Sequence, residues 1–310
     1  MSATVSTGWG DRVVLITGGT AGLGRSLVGS FARRGARVIV WARDPDRLAD
    51  LEAEARAAGW QVEGVRVDIT DESSVERAKQ QLLARYGRLD VLINNVGKST
   101  RCDVASSTLA QYRDLMEVNF FALVRCTLSL ADELIRRGGH VVNIGSLASK
   151  TAWPFVAPYA TSKFAVAAFT QQLRLETPRA LHVMLVCPGP IRRTDGGTRY
   201  RTESRELPAE AGKPGAGAPM KGLDPDRLAE AIVRGCERRS PELILPRWPR
   251  LLFALGQLSA GLGDWMIHRL KGTRRPDRRV ADGATADPIA TIPDHASTKE
   301  PSDEDAASPV

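Results

Sequence analysis

The sequence is short of the residues that mark several classes of protein. Its 310 residues include four cysteines, Cys102, Cys126, Cys187 and Cys236, which lie far apart and show no paired spacing. That pattern argues against a disulfide framework and against a metal site, and is typical of a reducing compartment. The N-terminal stretch MSATVSTGWGDR has no basic segment followed by an apolar one. We therefore expect no signal peptide and a cytoplasmic protein.

Aromatic residues are also scarce, at 5% of the chain, and they do not alternate with basic residues. The formal net charge of +7 is spread along the chain, with one basic region near the C-terminus. Neither feature is typical of a nucleic-acid-binding surface, so no nucleic-acid partner is expected. With 43% hydrophobic and 25% charged residues, the composition is that of a globular protein long enough for one large α/β domain.

A glycine-rich turn follows the first apolar run. Residues 13–16 (VVLI) predict a buried strand, and TGGTAGLG at 17–24 leads into a helical pattern that ends near Gly35. Such glycines let the backbone approach a pyrophosphate, and the helix N-terminus offers N–H groups to it. Glycines also mark ordinary structural turns, which is the alternative reading. The predicted dinucleotide contacts are Thr17, Gly18, Thr20, Gly22, Leu23 and Gly24.

The second predicted strand, residues 37–43, ends in Ala42 and Arg43. A carboxylate at this point suits the ribose 2′-hydroxyl of NAD, whereas an arginine suits the 2′-phosphate of NADP. Arg43 therefore favours NADP(H) over NAD(H), the alternative being a solvated surface charge. Asp44 and Pro45 are typical of the cap and first turn of the next helix.

Two further strand ends carry polar or glycine residues. A predicted strand at 61–67 is followed by Asp68 and Ile69, and one at 89–93 runs into Asn94-Asn95-Val96-Gly97. In a nucleotide-binding sheet these positions lie at the carboxyl edge, near the adenine and where the cofactor crosses. Either could equally be an ordinary turn. The predicted contacts are Asp68, Ile69, Asn95, Val96 and Gly97.

Four polar residues are candidates for catalysis. Tyr159 and Lys163 are four residues apart in a helical pattern that ends near Glu176, which places both on one face. An ammonium close to a phenol favours the phenolate, so Tyr159 can act as an acid or base near neutral pH, although the pair could also be an exposed helix pair. Ser146 follows the strand at 140–144 and points to the same sheet edge. Asn119 lies inside a helical pattern over residues 108–137, as a polar link to the site or as the cap of a local backbone defect.

Together these motifs resemble the single-domain branch of the short-chain dehydrogenase/reductase (SDR) family over roughly residues 11–246. The spacing Thr-Gly-x-x-x-Gly-x-Gly is the form that this family uses. The resemblance implies a doubly wound α/β fold, with a parallel Rossmann sheet and helices on both faces. It also implies cofactor contacts from the Pro-Gly turn after the strand at 181–187, at Pro188, Gly189 and Ile191. One departure is Arg193, followed by Thr194, where the family usually has a Thr that meets the nicotinamide amide.

The resemblance also assigns roles to the four candidates. Tyr159 is the general acid for carbonyl reduction, and Lys163 supports it and binds the nicotinamide ribose. Ser146 orients the carbonyl oxygen, and Asn119 carries a water relay. The implied reaction interconverts an apolar ketone and a secondary alcohol with NADP(H), in a homodimer or homotetramer, with residues 195–222 as a substrate lid. The alternatives are a non-catalytic NADP-binding sensor or scaffold and, less favoured, a sugar-nucleotide epimerase.

The C-terminal part differs from the rest of the chain. Within residues 247–275, Leu251, Leu255, Leu258, Leu262 and Trp265 form one helical stripe, with basic residues at both ends. The run is too short to span a bilayer, and it predicts a helix lying in a membrane interface. The alternatives are a cover over the substrate pocket or a subunit contact. The arrangement is similar to that of membrane-associated lipid reductases of the family, including 3-ketosphinganine-type reductases. Residues 1–10 are predicted to be a flexible leader and residues 276–310 a disordered tail.

Overall fold

Short strands of the central sheet alternate with helices in the computed structural model, which describes residues 8–192, 200, 204 and 207–271. Within those residues seven parallel strands pair in the order β3-β2-β1-β4-β5-β6-β7. They are β1 (Val13–Thr17), β2 (Arg37–Ala42), β3 (Val62–Arg66), β4 (Val91–Asn94), β5 (His140–Ile144), β6 (His182–Pro188) and β7 (Glu242–Leu245). The chain leaves β1 toward β2 and later returns to its other side at β4, so the sheet has a switch point between β1 and β4.

Helices cover both faces of the sheet, as predicted for a doubly wound fold. Successive residues of a strand point to opposite faces, so Val14 and Ile16 pack on one core, and Val13 and Leu15 on the other. Helices α1 and α7 pack on the first face, and α3 and α5 on the second. The helices are α1 (Gly22–Ala32), α2 (Pro45–Ala57), α3 (Glu72–Tyr86), α4 (Leu109–Met116), α5 (Ala122–Arg136), α6 (Ala157–Glu176), α7 (Pro225–Glu237), α8 (Pro249–Leu258) and α9 (Ala260–Lys271).

The predicted single helix over residues 108–137 is wrong in one respect. A π-helical turn at Glu117–Phe121 separates α4 from α5. The side chain of Asn119, fully buried inside this turn, accepts a hydrogen bond from Lys98 N (2.7 Å) and donates one to Lys98 O (2.9 Å). Such turns often occur at functional sites. The widened turn sets Asn119 against the backbone of the β4–α4 loop, a change in helix type that the sequence did not predict.

The C-terminal extension is also not one continuous helix. Ser259 is extended (φ −156°, ψ 126°), and it breaks the extension into α8 and α9, which pack together as a hairpin. The two helices pack closely at Gly256 and Gly263. A Cβ added to Gly263 would lie only 3.4 Å from the Cα of Gly256. Among the described helices none is long and apolar enough to cross a membrane. Of the predicted stripe, Leu251, Leu258, Leu262 and Trp265 are exposed, whereas Leu255 is half-buried.

The predicted leader and lid are described only in part, and the predicted tail lies outside the described residues. Trp9 falls within the predicted leader, but it is buried, stacks edge-on against Phe31 and donates to Glu237 Oε1 (2.8 Å). The packed domain therefore includes a residue before the predicted boundary at Asp11. Arg193 and Thr194, much of the predicted lid and all of the predicted tail lie outside the described residues. The described part of the lid forms short turns at Ala209–Gly212 and Pro214–Gly217.

Two buried histidines sit side by side at the amino ends of β5 and β6. The Nδ1 atoms of His140 and His182 are 2.8 Å apart, and His182 Nε2 lies 2.9 Å from Ser240 O. Because a carbonyl only accepts, His182 carries its hydrogen on Nε2 and accepts at Nδ1 from His140. Burial lowers the pKa of His140 to about 3 and also lowers that of His182. Both rings are therefore neutral in the folded protein at neutral pH.

We expect this histidine pair to make the fold sensitive to acid. Unfolded histidines titrate near pH 6.5, so between about pH 6.5 and pH 3 the unfolded chain binds more protons than the folded one. The contribution of the neutral His140 is full above pH 6.5 and falls by roughly 1.4 kcal/mol per pH unit as the pH drops toward 3, and His182 adds to the loss in the same direction. In His140→Asn the urea unfolding midpoint should fall less between pH 7 and pH 5 than in wild type. His268→Gln, at an exposed position, is the control; an unchanged slope in His140→Asn would contradict the assignment.

Candidate active site

A large cleft of about 2320 Å³ opens along the carboxyl edge of the sheet. The loops that follow β1, β2 and β4 form one side of it, and the lid and the α8–α9 hairpin contribute to the other. All the residues predicted for catalysis or cofactor binding line this cleft except Thr17 and Asn119, which lie behind its wall. Residues predicted from motifs far apart in the chain thus meet in one place.

The glycine-rich turn after β1 has the shape required to hold a pyrophosphate. Gly18 and Gly22 have positive φ angles of 68° and 52°, and a Cβ added to Gly22 would meet no atom within 4 Å. A Cβ on Gly24 would lie 2.2 Å from Gly18 O, so only glycine fits there. Helix α1 begins at Gly22 with no acidic residue in its first turn and no side-chain cap. Its N–H groups are therefore available to an anion, and the residues present fit a dinucleotide.

Thr17 and Asn95 hold that turn in position. The Thr17 hydroxyl accepts hydrogen bonds from Asn95 N (3.0 Å) and Val96 N (3.3 Å), which ties the ends of β1 and β4 together. The Asn95 side-chain amide donates to Thr17 O and Gly18 O, both at 3.0 Å. The strand order reverses between β1 and β4, and a cofactor would lie over this switch point. These hydrogen bonds therefore fix the two strand ends that flank the cofactor.

Beyond β2 and β3 the cleft carries the carboxylate of Asp68, with the cations of Arg43 and Arg125 near it. Asp68 accepts hydrogen bonds from Thr70 Oγ1 (2.7 Å) and Thr70 N (3.0 Å). The hydrogen bond from Thr70 lowers the pKa of Asp68 most, and the cations of Arg43 and Arg125 lower it further. Arg43 is exposed on the cleft wall, and so is Arg47, which sequence reasoning missed. Arg47 lies in the first turn of α2, and its position four residues after Arg43 was the available signal.

Lys163 is the most deeply buried charged group of the site. Its side chain on α6 donates from Nζ to Ile144 O (2.8 Å), and Nζ lies 6.0 Å from the centre of the Tyr159 ring. Burial lowers the pKa of Lys163 to about 8, an effect that the nearby Cys187 thiol partly opposes. A Cβ on Gly97 would lie 3.5 Å from Lys163 Nζ and 3.6 Å from Asn119 Oδ1. Gly97 therefore faces the lysine and the asparagine together.

A short hydrogen-bond chain joins Asn119 to the helix that carries Tyr159. Asn119 Nδ2 donates to Ser162 Oγ (2.9 Å), and Ser162 Oγ donates to Tyr159 O (2.8 Å). Ser162 is completely buried and was not predicted, although it lies within the sequence Tyr-Ala-Thr-Ser-Lys. These two hydrogen bonds link the π-helical turn to the start of α6, so the position of Tyr159 depends on the π-helical turn as well as on its own helix.

Ser146 stands between the strand β5 and a short 3₁₀ turn, Leu147–Ser149. Its Oγ accepts a hydrogen bond from Ala148 N (3.1 Å), and its own N–H donates to Ser149 Oγ (3.1 Å). Because the oxygen is held as an acceptor, the hydroxyl hydrogen is available as a donor to a group in the cleft. The serine thus supplies a fixed polar contact on the wall that also carries Tyr159.

The α8–α9 hairpin gives the cleft an apolar wall. Phe253, Met266 and Ile267 line it, and the hairpin is attached to the segment before α6 at two points. Gln257 Nε2 donates to Lys150 O (3.4 Å), and Lys271 Nζ lies 4.1 Å from the centre of the Phe155 ring. The alternative reading of the extension as a pocket cover is therefore correct for the inner face of the hairpin.

The fold and this site define an NAD(P)-dependent oxidoreductase, since a dinucleotide cradle opens beside a tyrosine, a serine and a buried lysine. The chain belongs to the short-chain dehydrogenase family, whose model matches residues 12–205. Its reaction is accordingly the interconversion of a ketone and an alcohol with a nicotinamide cofactor. The sequence resemblance at the family level is confirmed.

The chain is similar to proteins from distant organisms. It is 34% identical over 263 residues to a dehydrogenase/reductase SDR family protein 7-like of Drosophila melanogaster, covering 83% of this chain and 79% of that protein. It is 29% identical over 288 residues to the ketoacyl reductase HetN of Nostoc sp., covering 89% and 96%. Among solved structures, an actinorhodin polyketide ketoreductase variant with NADPH has a TM-score of 0.68 at 27% identity, covering 76% of this chain and 95% of that one.

Proposed function

We propose that the protein is an NADP(H)-dependent reductase of an apolar, lipid-like ketone. The observation that carries this proposal is the position of Tyr159 and the buried Lys163 on one cleft wall, between a dinucleotide cradle and an apolar hairpin. The test is a hydride-transfer assay with NADPH and a panel of ketones, from short polar to long-chain ones. Turnover should rise with apolar chain length. A non-catalytic sensor would instead bind NADPH and turn over none of them.

Each polar side chain has a separate task in this proposal. Tyr159 donates its phenolic proton to the ketone oxygen, and Ser146 donates a hydrogen bond to the same oxygen. Lys163 stabilises the phenolate that remains and offers its two other N–H groups to the nicotinamide ribose. Asn119 and the backbone of Lys98 form the path by which a proton from solvent returns to Tyr159. The nicotinamide, when bound, supplies the hydride.

The preference for NADP(H) is assigned to Arg43. A guanidinium forms charge-assisted, bidentate hydrogen bonds with a phosphate, and Arg43 stands at the end of β2 on the cleft wall. We expect Arg43→Ala to weaken NADPH binding by about tenfold and NADH binding by less than about threefold, because only NADPH has the 2′-phosphate. The measurement is the dissociation constant of each cofactor by fluorescence titration.

Arg66→Ala serves as the matched control for this change. Arg66 is an exposed arginine at the end of β3, and it does not line the cleft. It removes the same formal charge, so any effect of net charge alone appears equally in both variants. Equal losses of NADPH and NADH affinity in Arg43→Ala would exclude Arg43 as the basis of the preference.

The lipid character of the substrate is proposed from the hairpin. Its inner face lines the cleft with Phe253, Met266 and Ile267, while Trp248 and Trp265 are about half exposed, at 48% and 50%. Exposed tryptophans beside apolar and basic residues favour contact with a membrane interface. We infer a peripheral membrane contact through which the ketone enters. Sedimentation of the protein with lipid vesicles tests this contact.

A second exposed apolar surface favours a homodimer or homotetramer. Phe121 and Leu128 lie on one side of the π-helical turn and α5, and Phe164 and Leu175 lie on α6. These are the long helices that flank β4 and β5, and all four side chains are at least 41% exposed. Exposed apolar side chains along long helices are typical of subunit contacts, although Phe164 also lines the catalytic cleft. The mass of the protein in solution, measured by light scattering, tests the assignment.

A further inference from the structure

A second groove, of about 760 Å³, lies beside the mouth of the catalytic cleft. One face of α7 forms its floor, and the segment from Pro219 to Leu223 with the turn after β7 forms its sides. Met220 and Trp248 line both the groove and the cleft, so the two openings adjoin. None of the residues assigned to the cofactor or to catalysis lines this groove.

The groove is strongly basic. Arg192, Lys221, Arg227 and Arg234 line it, all of them exposed, and among the described residues Asp224 is the one acidic residue of its lining. Arg227 and Arg234 are seven residues apart on the same face of α7, with the small Ala231 between them. This spacing opens a concave surface between two guanidinium groups. Such a surface suits an oxyanion, which arginine binds through several N–H groups.

The single carboxylate does not neutralise this charge. Asp224 Oδ1 accepts from Asp226 N (3.0 Å) and Arg227 N (3.1 Å) as the cap of α7, and Oδ2 pairs with Arg192. The backbone hydrogen bond from Arg227 lowers the pKa of Asp224 most, so it stays ionised and engaged in these contacts. Within the described part of the chain, no ion pair involves Lys221, Arg227 or Arg234. Asp224, the acidic lining residue among the described residues, also attracts Arg227, so one carboxylate faces four cationic side chains and the groove keeps a positive charge.

The apolar side of the groove indicates which anion it takes. Trp248 is 48% exposed at the shared rim, and it leads directly to Leu251 of α8, which is 68% exposed. A ligand in the groove would thus touch guanidinium groups and the exposed Trp248, which stands just before the exposed apolar face of α8. A free inorganic anion uses only the first of these surfaces. An anionic lipid uses both, with its phosphate in the groove and its chains against the hairpin.

We propose that this groove is a binding site for the phosphate headgroup of an anionic membrane lipid. It holds the mouth of the catalytic cleft against the bilayer, and it selects anionic over neutral membranes. The inference goes beyond the proposed reaction, since it concerns none of the residues that act on the ketone. It would hold for any substrate that reaches the cleft from a membrane.

The test compares two double charge reversals in the full-length protein. Arg227→Glu with Arg234→Glu changes the groove, while Arg179→Glu with Arg238→Glu changes two exposed arginines outside it and alters the net charge equally. Binding is measured by co-sedimentation with vesicles of phosphatidylcholine, with and without phosphatidylglycerol. Loss of the two positive charges alone should weaken binding to anionic vesicles about 30-fold, and the two added carboxylates are repelled as well, so the groove variant should bind at least about 30-fold more weakly than wild type. The control variant should lose less than about threefold.

Three results would overturn the proposal. One is an equal loss in both double variants, which would mean that net charge alone governs binding. The second is wild-type binding that does not distinguish the two kinds of vesicle. The third is equal binding of anionic vesicles by wild type and the groove variant, combined with binding of inorganic phosphate that only the groove variant loses, which would identify a site for the free anion.

A ketone assay in detergent-free solution separates this inference from the proposed function. The groove variant should bind NADPH and reduce a water-soluble ketone at the wild-type rate, because the changed residues lie outside the catalytic cleft. If wild type reduces no ketone, the proposed function fails while the vesicle result still decides the inference. Thermal unfolding of both double variants confirms that they are folded.

Discussion

We expect Tyr159→Phe to lower kcat for ketone reduction by about 10²- to 10⁴-fold, the range that general acid catalysis contributes, while NADPH binds as in wild type. The substitution keeps the aromatic ring on α6 and removes only the hydroxyl that donates the proton. It leaves the Tyr159 carbonyl, which accepts from Ser162 Oγ at 2.8 Å, in place. Single-turnover reduction followed by NADPH absorbance, together with cofactor titration, measures both quantities.

Tyr112→Phe is the matched control for this variant. Tyr112 on α4 also lines the cleft, so its replacement removes a phenolic hydroxyl from the same cleft. We expect it to leave kcat within about threefold of wild type, since Tyr112 is not adjacent to the buried lysine. If Tyr159→Phe stays within tenfold of wild type, Tyr159 is not the acid.

The second large effect is expected for Lys163→Ala, which should lower kcat about 10²-fold or more and weaken NADPH binding about tenfold. The two losses have different causes. Without the ammonium the Tyr159 phenolate is no longer stabilised, and without the N–H groups the nicotinamide ribose loses a partner. Both follow from the position of Nζ, which is bonded to Ile144 O at 2.8 Å and lies 6.0 Å from the tyrosine ring centre.

Lys163→Met separates the charge from the packing. Lys163 is only 4% exposed, so alanine leaves a buried void that can disturb α6, whereas methionine fills most of the space of the lysine stem. We expect Lys163→Met to be as stable as wild type in urea unfolding and to show both functional losses. If only kcat or only NADPH affinity falls in this variant, the dual role of Lys163 is wrong.

Much of the fold was predictable because its signals are local. The alternation of apolar strands with amphipathic helices set the order of the elements, and helix ends followed from single residues such as Asp44, Asp224 and Gly87. Asp44 and Asp224 cap α2 and α7 through their carboxylates, and Gly87 ends α3 with a φ of 62°. Each of these patterns acts within a few residues of the chain, so the sequence is sufficient to predict it.

Two features of the site needed long-range contacts. The sequence could not show that Asn119 lies in a π-helical turn, because that turn is fixed by hydrogen bonds to Lys98, 21 residues away. Nor could it show that Thr17 and Asn95 support the glycine turn from behind, since their contacts cross from β1 to β4. In both cases the sequence named the residues as candidates, but the packing of the sheet sets their hydrogen-bond partners.

The sequence by itself determined the class of fold, the dinucleotide turn and the spacing of Tyr159 and Lys163, because a helix or a turn enforces these over a few residues. Only the tertiary structure decided where the C-terminal extension goes. A stripe of leucines is equally compatible with a bilayer, a subunit or a pocket, and the choice depends on close packing that no local pattern specifies. The approach of Gly256 to Gly263 folds the extension back on itself, and contacts with Lys150 and Phe155 set its inner face over the cleft.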